Sequence, residues 1–337
     1  MPDCIPRVTI MGSGGMGTLC ALIFADRGSR VTLWGRSSEH VDQLNRTREN
    51  TRYLPGHQLP QSVCITADAR AALRDPSLVL CAVPTQYIRS VFSPLGMLIP
   101  PSVPILSVTK GIEVETLRSP TEILARFVGH RPLACLTGPC IAPEVAQRKP
   151  TSVVVAARDP GVATLVQQGM STPYFRVYTS DDLLGAELAG AVKNVIAIAA
   201  GICDGLDLGC NAKASLITRG LVEITRLGTA LGARPETFNG LAGVGDLMTT
   251  CMSPIGRNRS AGERIGRGAL TAQVIASTPA VIEGIPTTQG VLELAKRTGV
   301  EMPIVSAVAS MLFEGIAPRQ AIQALMTRKL KSERSNE

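Results

Sequence analysis

The chain has 337 residues, of which 45% are hydrophobic and 18% charged, with a formal charge of +7 from 34 basic and 27 acidic side chains. This composition excludes a disordered chain, and the length predicts about two domains with a sizeable core. Aromatic residues are only 3% and no basic run has the density of a nucleic-acid arm, so neither a stacking platform nor a nucleic-acid partner is expected. The basic excess, much of it in Arg257, Arg259, Arg264, Arg267 and the tail residues Arg328, Lys329 and Lys331, suits small anionic substrates. Nine cysteines, an odd number without a CxxC pair, read as buried free thiols in a reducing compartment. The three histidines, His40, His57 and His130, lack ligand spacing, so no metal site is expected. The N-terminus does not read as a signal peptide. No run of 18 uninterrupted apolar residues predicts a membrane span, and a cytoplasmic protein is expected.

In chain order, Val8–Met11 is a short β-rich run leading into Gly12-Ser13-Gly14-Gly15-Met16-Gly17. An apolar helical segment from about Thr18 to Arg27 follows, closed by Gly28, and then a second strand, Val31–Trp34. This is GxGxxG between a strand and a helix, the context a dinucleotide site requires. Gly12 serves the tight turn, Gly14 the approach of the pyrophosphate, and Gly17 the close packing of helix on strand. The second strand ends Trp34-Gly35-Arg36, where a guanidinium suits a 2′-phosphate; Glu39, slightly later, can still serve the ribose of NAD. NADP(H) is therefore the expected cofactor, with NAD(H) possible. Apolar strands are predicted at 78–83, 104–109, 133–137, 152–156 and 175–178, and continuous apolar strands fit a sheet covered on both faces. Lys110 and Gly138 follow two of these strands at their carboxyl ends, where such sheets bind ligands.

After Ser180-Asp181-Asp182, a predicted helix cap, strand signals nearly vanish. From Leu183 to Cys203 only Glu187, Lys193 and Asn194 are strongly polar, which predicts a core helix rather than a surface one. A lysine in its middle is either paired with a carboxylate or used in chemistry, and the stretch alone leaves both open. A long helix over 211–232, broken or bent near Gly220, comes next. A Gly-rich turn over 240–248 carrying Asp246 follows, then a loop over 254–259 in which Arg257 and Arg259 flank Asn258. Helices are predicted near 287–298, 303–313 and 318–327, and the tail beyond Thr327 reads as frayed. The fold class expected is a Rossmann-type α/β domain over residues 1–181 followed by an all-α domain over 182–337. Asp246 can orient Lys193 or bind substrate hydroxyls, and Arg257 can take two phosphate oxygens in its planar fork.

With these residues collected, the chain resembles the bacterial-type NAD(P)-dependent glycerol-3-phosphate dehydrogenases over nearly its whole length. GSGGMG at 12–17, YLPG at 53–56, KG at 110–111 and GP at 138–139 carry part of the likeness. VKNVIAIAAGICDG at 192–205, NAKASLITRG at 211–220 and GLAGVGDLMTTC at 240–251 are far more specific. The resemblance implies interconversion of dihydroxyacetone phosphate and sn-glycerol 3-phosphate, feeding glycerophospholipid synthesis, in a homodimer without stable membrane insertion. It implies that Lys193 transfers the proton, that Lys110 touches both ligands, and that Gly138, Cys140, Asp246, Gly256, Arg257 and Asn258 meet the substrate. It places Gly15, Met16, Arg36, Tyr53, Ala142, Val281 and Glu283 at the cofactor, with Arg257 also in reach of it. Two positions depart from the family. Cys140 and Gly256 each stand where a hydroxyl residue is usual, which leaves a weak thiol donor and only a backbone N–H. The alternatives are a two-domain β-hydroxyacid or keto-acid reductase and a non-catalytic NADPH-binding redox sensor.

Overall fold

The computed structural model describes residues 4–278, 280–330 and 332–333; Lys331 of the basic tail lies outside the described residues. Among the described residues ten strands form, all before residue 181. They are β1 (Arg7–Met11), β2 (Arg30–Trp34), β3 (Glu49–Asn50), β4 (Leu54–Gln58), β5 (Val63–Thr66), β6 (Leu78–Cys81), β7 (Ile105–Ser107), β8 (Leu133–Thr137), β9 (Thr151–Ala157) and β10 (Phe175–Ser180). Eight of them make one sheet in the order β10-β9-β8-β7-β6-β1-β2-β5. Neighbours are parallel except β8 and β9, which pair antiparallel. The order reverses between β1 and β6, which opens a crevice at the carboxyl end of β1, the usual ligand site of such sheets. Both faces of the sheet are covered, as the apolar runs predict. Ile10, Leu33, Leu78 and Leu80 face one apolar layer, with the first helix, Gly15–Asp26. Met11, Trp34, Val79 and Cys81 face the other.

The short strands β3, β4 and β5 escape the sequence reading. β4 contains Pro55, Gly56 and the polar His57 and Gln58, and β5 is a four-residue edge, so neither shows a period. β3 and β4 form a small antiparallel ribbon of their own. All nine thiols are free, and five are buried as expected, but Cys64 and Cys210 are exposed and Cys4 and Cys140 half-buried.

Beyond Ser180 the described residues contain helices and no strand. Asp182 caps the core helix Leu183–Gly205 by accepting from Gly185 N at 2.9 Å. Every residue from Gly185 to Cys203 is buried. This is the one described helix long and apolar enough to cross a membrane, and 89% of its apolar window lies inside the fold. The helix Gly209–Ala230 runs through Gly220 without a break. That glycine admits Ile196, whose Cγ2 lies 2.7 Å from where a Cβ would stand. The predicted loop over 254–259 ends early, because Arg257 opens the helix Arg257–Gly266.

This last helix lies directly on the core helix, backbone to backbone. A Cβ on Gly201 would come within 1.9 Å of Arg259 O, and one on Gly262 within 1.9 Å of Ile198 O. Both helices carry the second glycine of a four-residue spacing, Gly205 and Gly266, on the same contact. Gly201→Ala therefore forces two rigid backbones apart, and a stability loss of about 1–3 kcal/mol is expected in urea or thermal unfolding.

Candidate active site

The turn after β1 has the geometry that a dinucleotide requires. Gly12 has φ +122°, and a Cβ there would meet Ala82 O at 2.7 Å. A Cβ on Gly17 would meet Gly12 O at 1.9 Å, so helix and turn pack at glycine distance. Around Gly14 a Cβ would meet nothing within 4 Å, which leaves the outer face of the turn open to a pyrophosphate. The helix that follows has no side-chain cap, so its first N–H groups remain available to an anion. Met16 packs on the sheet's core, and Ala142 opens a short helix against the same layer. Tyr53 lies over the turn, with its carbonyl oxygen 2.8 Å from where a Gly15 Cβ would stand. Arg36 is exposed at the end of β2, and its guanidinium sits 5.9 Å from the ring centroid of Tyr87.

Beside this crevice, two lysines converge on one carboxylate. Lys110 follows β7, Lys193 comes from the middle of the core helix, and Asp246 is the first residue of the helix Asp246–Met252. The glycines of Leu241–Gly245 make that helix's entry possible, since a Cβ on Gly243 would strike Phe238 O. Lys110 Nζ is 2.5 Å from Asp246 Oδ2, and Lys193 Nζ is 2.9 Å from Oδ1. Oδ2 also accepts from Thr137 Oγ1 and Gly138 N, both at 3.3 Å. Thr250 Oγ1 accepts from Lys193 at 2.5 Å and donates to Asp246 Oδ1 at 3.4 Å. Asp246 and Lys193 are 2% and 5% exposed, so this cluster is electrostatically strong.

Burial pushes the Lys193 ammonium down; Asp246 pulls it back up, Lys110 pushes it down again, and it comes to about 8. Burial pushes the Asp246 carboxyl up, but the two lysines outweigh burial and hold it below its ordinary value. The site thus carries two cations against one anion, a net positive field in a dry setting. Cys140 is half-buried within reach of those charges, and burial pushes its thiol up to about 11, so it stands as a neutral, weak donor.

The other predicted residues join this centre through the core helix. Asn258 donates from Nδ2 to Asn194 Oδ1 at 2.9 Å and accepts from Gly284 N at 2.9 Å, which leaves it one amide hydrogen for a ligand. Arg257 is exposed and donates to Val281 O at 2.9 Å. Glu283 accepts from Thr85 N at 2.9 Å, linking the helical half to the sheet. Burial, partly offset by Thr85 and Arg257, raises the Glu283 carboxyl to about 7. Gly256 departs from expectation: its backbone N–H is spent on Ser253 O at 3.2 Å, so it leaves no donor of its own. Thr137, Thr250, Thr85 and Asn194 are site residues that the sequence reading missed. Thr250, one helical turn after Asp246, carried a signal in its spacing.

Two family models match, described as the N-terminus and the C-terminus of NAD-dependent glycerol-3-phosphate dehydrogenase, over residues 7–163 and 182–323. The chain is 46% identical over 330 residues to a glycerol-3-phosphate dehydrogenase (NAD(P)+) of Geobacter sp. (strain M21), covering 97% of this chain and 98% of that one. It is 45% identical, with the same coverage, to one from Streptomyces coelicolor. A crystal structure of glycerol-3-phosphate dehydrogenase from Coxiella burnetii superposes with a TM-score of 0.93 at 38% identity, covering 97% of this chain and all of that one. The nucleotide turn, the lysine–carboxylate centre and these likenesses coincide along one chain, which belongs to the NAD-dependent glycerol-3-phosphate dehydrogenase family.

Proposed function

We propose that the protein interconverts dihydroxyacetone phosphate and sn-glycerol 3-phosphate with NAD(P)(H), and that this reaction feeds glycerophospholipid synthesis. The observation that carries the reading is the pair of lysines on one buried carboxylate beside the nucleotide turn. The nicotinamide, when bound, supplies or takes the hydride. Gly12, Gly14, Gly15, Met16, Gly17, Arg36, Tyr53, Ala142, Val281 and Glu283 hold the cofactor. Lys193 gives a proton to the carbonyl oxygen in reduction and takes it back from the hydroxyl in oxidation. Lys110 adds positive field at that oxygen, and Asp246 keeps both ammonium groups aimed at it. Arg257 and Asn258 hold the phosphate with the helix N-terminus that Gly256 leaves uncapped, while Gly138 and Cys140 line the substrate's other end. The active unit is a cytoplasmic homodimer, with the sheet domain over residues 1–181 and the helical domain over 182–337. The two relatives above, at 45–46% identity over nearly the whole chain, are named for glycerol 3-phosphate, which disfavours a keto-acid reductase or a silent redox sensor.

Absorbance of the reduced nicotinamide tests the reading. Signal loss is expected with dihydroxyacetone phosphate and not with dihydroxyacetone; a folded protein inert to both sinks it. Arg36 is the proposed source of a preference for NADPH. Arg36→Leu is expected to lower kcat/KM with NADPH about tenfold or more while sparing NADH, since a hydrogen bond to a charged group is lost only with the former.

A further inference from the structure

We infer that Asn50 is a positioning residue for the pyrophosphate-binding turn, acting from the β3–β4 ribbon on the peptide between Ser13 and Gly14. Asn50 is fully buried, at 0% exposure, and both of its amide hydrogens are used. Nδ2 donates to Ser13 O at 2.9 Å and to Thr18 Oγ1 at 2.7 Å, while Oδ1 accepts from Tyr53 N at 3.3 Å. His40 Nε2 also faces Ser13 O, at 3.5 Å.

A trans peptide is planar, with its C=O and N–H pointing in opposite directions. Tying Ser13 O inward to the buried Asn50 therefore turns Gly14 N–H outward, away from the core. Were this peptide to flip, a carbonyl oxygen would face the pyrophosphate and repel it, and the donor would be lost at the same time. The flip turns on Ser13 ψ and Gly14 φ, and a glycine at position 14 makes it sterically easy, so the turn needs an external lock. Asn50 suits this role because only a side-chain amide offers two hydrogens and an acceptor in one plane. The second hydrogen, on Thr18, fixes the amide's own orientation. The bond to Tyr53 N sets the backbone of the residue that covers the turn. Asn50 touches the turn and not the cofactor, so its effect is on every ligand that uses those N–H groups.

The inference rests on the crevice being the cofactor site, and wild-type protein that binds neither dinucleotide in calorimetric titration would overturn that reading alone. Given binding, Asn50→Ala is expected to weaken NADPH and NADH by the same factor, about tenfold, with their ratio unchanged. Adenosine 2′-monophosphate, which has no pyrophosphate, should bind the variant as it binds wild type, and KM for dihydroxyacetone phosphate at saturating NADPH should hold. Asn50→Asp, nearly isosteric but without the donors, is the second variant if the alanine protein does not fold. It should show the same pattern more strongly, because its carboxylate repels Ser13 O. Unchanged affinity for both dinucleotides in a folded variant overturns the inference, as does an equal loss for adenosine 2′-monophosphate, which marks a general loosening.

Discussion

Lys193→Ala is expected to lower kcat by about 10²–10⁴-fold, the range for losing a positioned general acid–base group. Lys110 keeps Asp246 paired in this variant, so folding should survive and NADPH affinity should stay near wild type. The pH profile carries the sharper expectation. With its ammonium at about 8, Lys193 is a proton donor below that pH and an acceptor above it. In the wild type, kcat/KM for reducing dihydroxyacetone phosphate should therefore fall as pH rises through about 8, while kcat/KM for oxidising glycerol 3-phosphate should rise over the same interval. Stopped assays in both directions measure this directly. In Lys193→Ala both limbs should disappear; a variant that kept kcat, or kept the opposed limbs, would remove Lys193 from the chemistry.

Asp246→Asn attacks the same centre from the other side, with a different signature. It leaves Lys110 and Lys193 facing each other across a neutral amide, one of them fully buried. Removing one partner of a buried pair costs about 3–5 kcal/mol, because the remaining charge stays desolvated. The unfolding midpoint in urea should therefore fall markedly, unlike that of Lys193→Ala, which removes a cation rather than stranding one. The variant should also move the reduction limb to lower pH. Asp246 is the main group that raises the Lys193 ammonium, and without it burial and Lys110 dominate. An Asp246→Asn protein as stable as wild type, with its pH limb in place, would mean that the carboxylate does not hold the two lysines.

Much of this site is legible from local pattern. GxGxxG between a strand and a helix, and a long apolar stretch interrupted only by Glu187, Lys193 and Asn194, are signals of period and composition, and both reappear in the structure. The helix Pro303–Phe313 is read to the residue because its first-turn proline and apolar run leave one solution. Elements without a period are not legible. The ribbon β3–β4 is short and polar, and its value lies in Asn50, whose partners Ser13 and Thr18 are more than thirty positions away. The start of the Arg257 helix is hidden because a glycine cap and two arginines look like a loop until packing on the core helix stabilises them.

By itself the amino-acid order determined the two-part architecture, the dinucleotide turn and the short list of charged residues, because backbone preference and hydrophobic period act over a few neighbouring residues. It left open whether Lys193 is paired, and what Asp246 holds. Only the tertiary structure decided that Lys110, 136 positions from Asp246, shares its carboxylate with Lys193. The same is true of Gly201 and Gly262, which bring two backbones into contact and seat Asn258 on Asn194. Gly256 likewise gives its N–H to Ser253. Such choices of partner depend on which surfaces the packed core brings within about 3 Å, a distance at which burial multiplies electrostatic energy and which local sequence does not encode.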